Sequence, residues 1–256
     1  MENRLLEGKS VIVTGASSGI GAHITRVLVA GGARVTVAAR RRVRLEDLAE
    51  ELAGLSGDVS LVEADVTKAN DVERMVQHAV DRYGGIDALV NNAGMEIQGR
   101  IEELSEEALE RMLRTNVVGP YLCLRAALPY LKQRGGSVVN VGSTVVTRAP
   151  LYRFGYVASK GALEAMSRAL SGDLGPEGVR VNVVRPGIVP SELRGTTETE
   201  EMESLKERVP RLQALPNVGT GMDVAAAVAF LVSDDSRWIT GTVLDVDGGY
   251  SLGTPR

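Results

Sequence analysis

Seven short runs rich in β-branched residues alternate with longer segments of helical periodicity along this chain of 256 residues. The runs read SVIVTG, RVTVAA, VSLVEAD, DALVNNAG, SVVNVGS, VRVNVV and VLDVDGG, and the longer segments lie near residues 20–30, 41–55, 71–83, 106–131, 156–174 and 223–232. The runs lack strict polar–apolar alternation, which is typical of parallel strands buried on both faces. Right-handed crossovers between such strands produce a doubly wound sheet. We therefore predict one α/β domain over residues 1–256, with about seven parallel strands and helices on both faces.

The charge and the apolar pattern argue against several classes of partner. The formal net charge is −4, whereas nucleic acid and anionic membranes attract basic surfaces. No window approaches 18 uninterrupted apolar residues, and the N-terminal MENRLLEGKSVIV lacks the apolar region of a leader. Cys123 is the only cysteine, so no intrachain disulfide can form. We expect a cytoplasmic protein that binds small molecules, without nucleic acid, membrane or metal.

The first run leads directly into a glycine-rich turn and then into an apolar helix. Gly15 would permit the tight turn, Gly19 the close approach of a pyrophosphate, and Gly21 the packing of the helix against the strand. Three glycines alone are weak evidence, but their position between an N-terminal strand and a helix predicts a Rossmann-type dinucleotide site. Its predicted residues are Gly15, Ser17, Ser18, Gly19, Ile20 and Gly21.

The end of the second run bears on the choice of cofactor. NAD sites usually carry an acidic residue there, which binds the ribose 2′-hydroxyl. This chain has Ala39 followed by Arg40 and Arg41, whose guanidinium groups could bind a 2′-phosphate. We therefore predict NADP (NADPH) rather than NAD, although arginines that begin a helix are also typical of a solvated surface. Asp65 and Val66, after the third run, are predicted to contact the adenine, and Asp65 could equally be a turn residue.

Asn92, Ala93 and Gly94 follow the fourth run, at the sheet edge where open α/β sheets bind ligands. Small residues at this place would leave room for a ribose and a nicotinamide. An ordinary Asn/Gly turn would produce a similar string, so the motif supports a cofactor site without establishing one.

Tyr156 and Lys160 lie four residues apart in YVASK, with Ser143 upstream of them and Asn116 further back. A phenol has a pKa near ~10 and is a poor acid or base at neutral pH, but a cation one helical turn away lowers that pKa. The tyrosine then becomes a usable general acid or base. The alternatives are structural: an amphipathic helix pair, a serine that caps a strand end, and an asparagine at a local helix bend.

Together, in this order and spacing, these motifs resemble those of the short-chain dehydrogenase/reductase family over residues 9–249. The resemblance implies a hydride exchange between a nicotinamide cofactor and an alcohol or carbonyl compound, in a homotetramer or homodimer. It implies that Tyr156 is the acid/base and that Lys160 lowers the pKa of Tyr156 and holds the nicotinamide ribose. Ser143 would orient the substrate oxygen, and Asn116 would keep a water linked to Lys160 for proton relay.

The resemblance also implies a loop around the nicotinamide after the sixth run. Its residues are Pro186, Gly187, Ile188 and Ser191. Ser191 stands where family members commonly have threonine, and its hydroxyl would bind the carboxamide. Ile188 would reach the same group through its backbone.

Three parts of the chain are predicted to select the substrate: the loop between Ser143 and Tyr156, the residues after Gly94, and residues 190–220. We interpret residues 190–220 as a lid, the alternative being a solvated insertion. The predicted substrate contacts are Ser143, Val145, Tyr156, Glu96 and Arg153. This lining fits a small ketone, sugar, steroid or polyketide-type compound, including a polar or anionic one.

Two other functions stay open from the sequence. The first is reduction of 3-oxoacyl groups on acyl carrier protein, as in common members of the family. The stretches that hold the acidic carrier in those enzymes read LPY at 128–130 and DLGPE at 173–177 here, without their basic residues. The second is an NADP-binding protein without catalysis, against which Tyr156 and Lys160 argue.

Overall fold

The computed structural model describes residues 6–190, 198–206 and 208–253. The strands are β1 (Ser10–Thr14), β2 (Arg34–Ala39), β3 (Asp58–Glu63), β4 (Ala88–Asn91), β5 (Ser137–Val141), β6 (Arg180–Pro186) and β7 (Val243–Val246). Within the described ranges they form one sheet in the order β3-β2-β1-β4-β5-β6-β7, and every neighbouring pair is parallel. The predicted Rossmann-type doubly wound sheet is therefore confirmed.

Helices connect the strands and cover both faces of the sheet. They are α1 (Gly19–Ala30), α2 (Arg42–Glu51), α3 (Ala69–Tyr83), α4 (Glu106–Leu113), α5 (Gly119–Arg134), α6 (Val145–Arg148), α7 (Phe154–Leu174), α8 (Glu198–Lys206) and α9 (Gly221–Val232). No described helix is long and apolar enough to cross a membrane.

Two predicted helices differ from those observed. The single helix predicted over residues 106–131 is interrupted by a π-helical turn at Arg114–Val118, which separates α4 from α5. The helix predicted over residues 41–55 ends at Glu51, and Gly54 in the following turn has a φ of 89°. The predicted lid contains α8 and a short 3₁₀ turn at Val209–Arg211, neither of which the sequence pattern indicated.

The strands bury side chains on both faces, because successive side chains of a strand point to opposite sides. Val11 and Val13 of β1 pack in a cluster with α1 and α9, whereas Ile12 packs in a second cluster with α3 and α5. All three side chains are fully buried. Burial on both faces explains why the strands read as apolar runs without strict alternation.

The chain reverses its direction of travel across the sheet between β1 and β4. These two strands are neighbours, with Val13 opposite Val90, although β2 and β3 lie between them in sequence. A doubly wound sheet opens a crevice at the carboxyl ends of its strands at such a switch point. The fold thus brings the glycine-rich turn after β1 next to the residues that follow β4.

Candidate active site

The carboxyl ends of β1 to β6 border a cleft of about 840 Å³. Every cofactor and substrate residue predicted from the sequence lines this cleft, where the structure describes it. Ser191 lies outside the described residues. Asn116 is fully buried and is not among the residues that line the cleft. One sheet edge therefore brings together residues that are far apart in the sequence.

The turn after β1 has the geometry expected of a dinucleotide cradle. Gly15 and Gly19 have φ values of 66° and 55°, in the left-handed region that favours glycine. A Cβ on Gly21 would lie 2.3 Å from the Gly15 carbonyl oxygen, so α1 packs on the turn without space for a side chain. Ser18, the N-cap of α1, makes no side-chain hydrogen bond to the first turn. This N-terminus fits the diphosphate of a dinucleotide.

Arg40 and Arg41, at the end of β2, have different surroundings. Arg41 donates from Nη2 to Ser17 Oγ at 3.0 Å and to Ser18 Oγ at 2.7 Å, so its side chain lies over the glycine-rich turn. Arg40 is exposed, and its charge acts on the carboxylate of Asp65. Arg41 thus contacts the turn, and Arg40 lies toward the end of β3.

Asp65 is the turn residue that the sequence allowed. Its Oδ1 accepts hydrogen bonds from Thr67 N at 3.0 Å and Thr67 Oγ1 at 2.8 Å. Burial raises the pKa of Asp65, but the Thr67 hydrogen bonds and the charges of Arg40 and Lys68 outweigh it and lower the pKa. The carboxylate stays charged at the cleft wall, and its contact with an adenine stays a prediction.

Asn92 supports the glycine-rich turn from the neighbouring strand. Its Nδ2 donates to the carbonyl oxygens of Thr14 and Gly15, each at 3.0 Å. The next small residue, Gly94, keeps space open further along the cleft. A Cβ on Gly94 would lie 3.7 Å from Lys160 Nζ and 3.4 Å from Asn116 Oδ1.

Tyr156, Lys160 and Ser143 line the same part of the cleft. Helix α7 begins at Phe154, so Tyr156 and Lys160 lie one turn apart near its start. Lys160 Nζ lies 5.7 Å from the centroid of the Tyr156 ring, and both residues are buried. Ser143 follows β5 and is half-buried, and its Oγ accepts a hydrogen bond from Val145 N at 3.3 Å. The arrangement places two hydroxyl groups and one amine together.

The amine of Lys160 is held away from solvent. Its Nζ donates to the Val141 carbonyl oxygen at 2.7 Å, at the end of β5. Burial lowers the pKa of Lys160 to about 8, although the charge of Glu164 acts in the opposite direction. A protonated amine near its titration point can stabilise a neighbouring phenolate at neutral pH.

Asn116 lies in the π-helical turn, and both polar atoms of its side chain make hydrogen bonds. Oδ1 accepts from Met95 N at 2.9 Å, while Nδ2 donates to Met95 O and to Ser159 Oγ, each at 2.9 Å. The side chain thus fixes the segment after β4 against α7. Asn116 therefore does lie at a local distortion of the helix, but its side chain bonds Met95 and Ser159 and not the backbone of its own helix, which was the alternative that the sequence offered.

Glu96 and Arg153 form an ion pair in the predicted substrate region. Arg153 Nε lies 3.1 Å from Glu96 Oε1, and the Glu96 side chain is only 3 % exposed. Gln98 Nε2 donates to the same oxygen at 3.1 Å. The charges of the two predicted substrate contacts therefore offset one another.

The sequence did not indicate that Arg111 and Tyr250 line the cleft. Leu205, Arg208 and Leu212 also line it and belong to the predicted lid, which the sequence identified only as a range. Tyr250 reaches the cleft because Gly248 and Gly249 take φ values of 61° and 84° after β7. Arg148 then donates to the Tyr250 carbonyl oxygen at 3.0 Å and lies 4.7 Å from its ring centroid. The glycine pair in VDGGY was the one signal in the sequence for this turn.

A Rossmann-type sheet with a cleft at its carboxyl edge is the architecture of dinucleotide-dependent oxidoreductases. A family model described as enoyl-(acyl carrier protein) reductase matches residues 15–251. The chain belongs to the short-chain dehydrogenase/reductase family, which supports a nicotinamide cofactor.

Characterised and uncharacterised relatives align over nearly the whole chain. An uncharacterised oxidoreductase of Methylorubrum extorquens is 39% identical over 248 residues, which cover 95% of this chain and 98% of the relative. A 3-oxoacyl-[acyl-carrier-protein] reductase of Thermotoga maritima is 34% identical over 96% of this chain and 99% of its own. An L-fucose dehydrogenase of Mus musculus is 35% identical over 97% of this chain and 90% of its own. The relatives' names differ in substrate but agree on oxidoreduction.

Proposed function

We propose that this protein is an NADP(H)-dependent oxidoreductase that interconverts a carbonyl group and a secondary alcohol. The observation that carries the proposal is the placement of Tyr156 one turn before the buried Lys160, in one cleft with Ser143. The bound cofactor would supply and accept the hydride. The chain would bind both reactants, orient the carbonyl and move the proton.

In the reductive direction, negative charge develops on the substrate oxygen as hydride arrives. The hydroxyls of Ser143 and Tyr156 would donate hydrogen bonds to that oxygen, and Tyr156 would transfer its proton to it. The cation of Lys160 stabilises the resulting phenolate. In the oxidative direction the same groups would act in reverse.

The proton would then be replaced from solvent through a path that includes Asn116. The Asn116 side chain already makes hydrogen bonds to Met95 and Ser159. We therefore infer that a relay water would be held by the backbone of the π-helical turn, with the side chain fixing that turn. Ile188 and Ser191 stay predicted contacts of the nicotinamide carboxamide, next to Pro186 and Gly187.

NADP is proposed over NAD because of the charges at the end of β2. Ala39 offers no carboxylate there, and the exposed Arg40 and the turn-bound Arg41 can pair with a 2′-phosphate. Assembly into a homotetramer or homodimer stays a prediction, which light scattering of the purified protein would test.

The test is substitution of Tyr156 by Phe, with Tyr152→Phe as a matched control in the same segment. Tyr152 is half-exposed and does not line the cleft. We expect Tyr156→Phe to abolish turnover of a panel of ketones while NADPH binding, followed by fluorescence, is nearly unchanged. Tyr152→Phe should retain both. Appreciable activity in Tyr156→Phe would show that another group donates the proton.

Reduction of 3-oxoacyl groups on a carrier protein is the second candidate, because of the similarity to the Thermotoga maritima reductase. Asp173 and Glu177 lie exposed where a basic patch would be needed, although Glu177 is paired with Lys132. We expect a 3-oxoacyl thioester of a small thiol to be reduced as well as the carrier-bound form. A strong preference for the carrier-bound form would favour the second candidate.

A third candidate is an NADP-binding protein without catalysis. The intact Tyr156 and Lys160 argue against it, since a protein that only binds needs neither a proton donor nor its buried cation. Binding of NADPH without turnover across a broad panel of carbonyl compounds would establish this alternative.

A further inference from the structure

Most of the cationic groups that line the cleft already have a partner. Arg41 lies on the glycine-rich turn, and Arg114 donates from Nε and Nη2 to the Thr67 carbonyl oxygen at 3.2 and 2.8 Å. Arg153 is paired with Glu96. Among the described cations that line the cleft, Arg40, proposed above for the 2′-phosphate, and two further arginines have no such partner.

The two further arginines are Arg111 and Arg208. Both are exposed and both line the cleft. In the described part of the chain, no carboxylate lies within ion-pair distance of either guanidinium. Although the net charge of the chain is −4, its cleft is thus lined by two arginines that have no carboxylate partner among the described residues. A cleft in which cationic side chains outnumber carboxylates attracts anionic ligands.

The two arginines come from elements that border the substrate region. Arg111 lies on α4, three and four residues before Arg114 and Thr115 of the π-helical turn, which also line the cleft. Arg208 lies between α8 and the 3₁₀ turn at Val209–Arg211, inside the predicted lid. Neither belongs to the turn after β1 or to the end of β2, where the cofactor phosphates are proposed to bind.

Besides the Glu96–Arg153 ion pair and the hydroxyls of Ser143 and Tyr156, several apolar side chains line the cleft. Leu205 and Leu212 contribute from the lid, Val145 and Pro150 from the loop after β5, and Tyr250 from the C-terminal turn. Leu205 and Val145 are buried, whereas the two arginines are exposed at the edge. A ligand that fills the region would place its carbon skeleton inside and a charged group outside.

We propose that the substrate is a carbonyl compound or alcohol that carries an anionic group, a carboxylate or a phosphate monoester, bound by Arg208 and Arg111. This proposal rests on the oxidoreductase function proposed above. Guanidinium groups bind both kinds of anion with two parallel hydrogen bonds. The apolar side chains would hold the carbon atoms between the anion and the reacting centre, which lies at Ser143 and Tyr156.

The test compares matched substrates with and without the charge, in the presence of NADPH. One arm uses oxo acids of three to six carbons against their methyl esters and amides, and a second uses dihydroxyacetone phosphate against dihydroxyacetone. We expect kcat/KM to be at least about 10-fold higher for the anionic member of one arm. Whichever arm shows the preference identifies carboxylate or phosphate as the anion.

The variants are Arg208→Ala and Arg111→Ala. Each should lower kcat/KM for the anionic substrate by about 10- to 100-fold and leave its neutral partner within about twofold. Arg208→Lys should restore part of the loss. Arg125→Ala is the control, because its side chain is exposed on α5 and does not line the cleft.

The outcomes separate this proposal from the proposed function. Turnover of neutral ketones equal to or better than that of their anionic partners would overturn the anion site and leave the oxidoreductase function intact. If no compound is turned over, the oxidoreductase function fails, and thermal stabilisation of the NADPH complex by an oxo acid or by dihydroxyacetone phosphate becomes the readout. Stabilisation that is lost in Arg208→Ala would support the anion site, and absence of stabilisation would overturn it.

Discussion

Glu164 and Arg185 form a two-point ion pair one helical turn beyond Lys160. Arg185 Nε donates to Glu164 Oε1 at 2.7 Å and Nη2 donates to Oε2 at 2.5 Å. The two side chains are only 7% and 12% exposed. Because Arg185 directly precedes Pro186 on β6, the pair joins α7, which carries Tyr156 and Lys160, to the loop proposed to hold the nicotinamide.

We expect Glu164→Gln to weaken both the fold and the proton-transfer site. Breaking a buried pair leaves Arg185 with only the distant Asp245 (3.4 Å), so the free energy of unfolding should fall by about 3 kcal/mol. The charge of Glu164 raises the pKa of Lys160, so its loss lowers that pKa further. The decline of kcat/KM at high pH should then begin at lower pH than in the unmodified protein.

Glu46→Gln is the matched control, because Glu46 pairs with Arg42 at 2.8 Å on an exposed helix surface. Exposed pairs contribute less than about 1 kcal/mol, so both urea unfolding and the pH profile should change little. If Glu164→Gln changed stability without moving the pH profile, the pair would hold the fold together but would not tune Lys160.

Arg40 and Arg41 should differ in their effect on cofactor choice. Arg40→Ala should weaken NADPH binding about 10- to 100-fold and leave NADH nearly unchanged, because it removes the charged hydrogen bond proposed for the 2′-phosphate. Arg41→Ala should weaken both cofactors, since Arg41 also holds Ser17 and Ser18 of the shared turn. Fluorescence titration with both cofactors checks this, with Arg44→Ala as the control. An unchanged NADPH/NADH ratio in Arg40→Ala would contradict the proposed NADP site.

Gly21 should tolerate no side chain. The Cβ of Gly21→Ala would lie 2.3 Å from the Gly15 carbonyl oxygen and 2.4 Å from Asn92 Nδ2, so α1 must move away from the turn. We expect a loss of about 1–3 kcal/mol in the free energy of unfolding and a large loss of NADPH affinity.

Gly172→Ala on α7 is the contrasting variant, because a Cβ there would meet nothing within 4 Å. It should stabilise the protein by about 0.5–1 kcal/mol and leave cofactor binding unchanged. If Gly21→Ala bound NADPH normally, close packing at the turn would not be what the cofactor site requires.

The sequence predicted the parts of the site that local pattern determines. Gly15 and Gly21 lie at a strand–helix boundary, and the lining residues at strand ends follow from where parallel strands finish. The pattern could not reveal the pairing of Glu96 with Arg153, or of Glu164 with Arg185, because each joins segments that meet only in the folded chain.

The helices also show which features local sequence pattern can predict and which depend on contacts in the folded chain. The apolar periodicity of residues 106–131 continues through the π-helical turn, so it indicated one helix. What distinguishes the turn is the contact of Asn116 with Met95 and Ser159, which come from two other parts of the chain. Helix α8 has a weakly amphipathic, acidic sequence, and only Leu205 of its residues is buried where the structure describes side chains.

Lys160→Met should make the protein inactive but more stable at neutral pH. Burial lowers the pKa of Lys160 from 10.5 to about 8, so the folded chain at about pH 7 carries a buried cation at a cost of up to about 3 kcal/mol. Met has a similar length and no charge. The loss of the hydrogen bond to Val141 offsets part of the gain, so we expect a net gain of about 1–3 kcal/mol in the free energy of unfolding.

The gain should disappear as the pH rises. Between the folded pKa of about 8 and the unfolded value of 10.5, the unfolded protein binds a proton that the folded protein does not, so its stability rises with pH in this window. The methionine variant lacks this dependence, and the two stabilities should converge by about pH 10. Urea unfolding at several pH values measures the difference, with Lys68→Met on the exposed surface as the control. A stability difference that stays constant from about pH 7 to 10 would mean that Lys160 does not titrate in this range. Burial would then not be what sets the charge of Lys160 beside Tyr156.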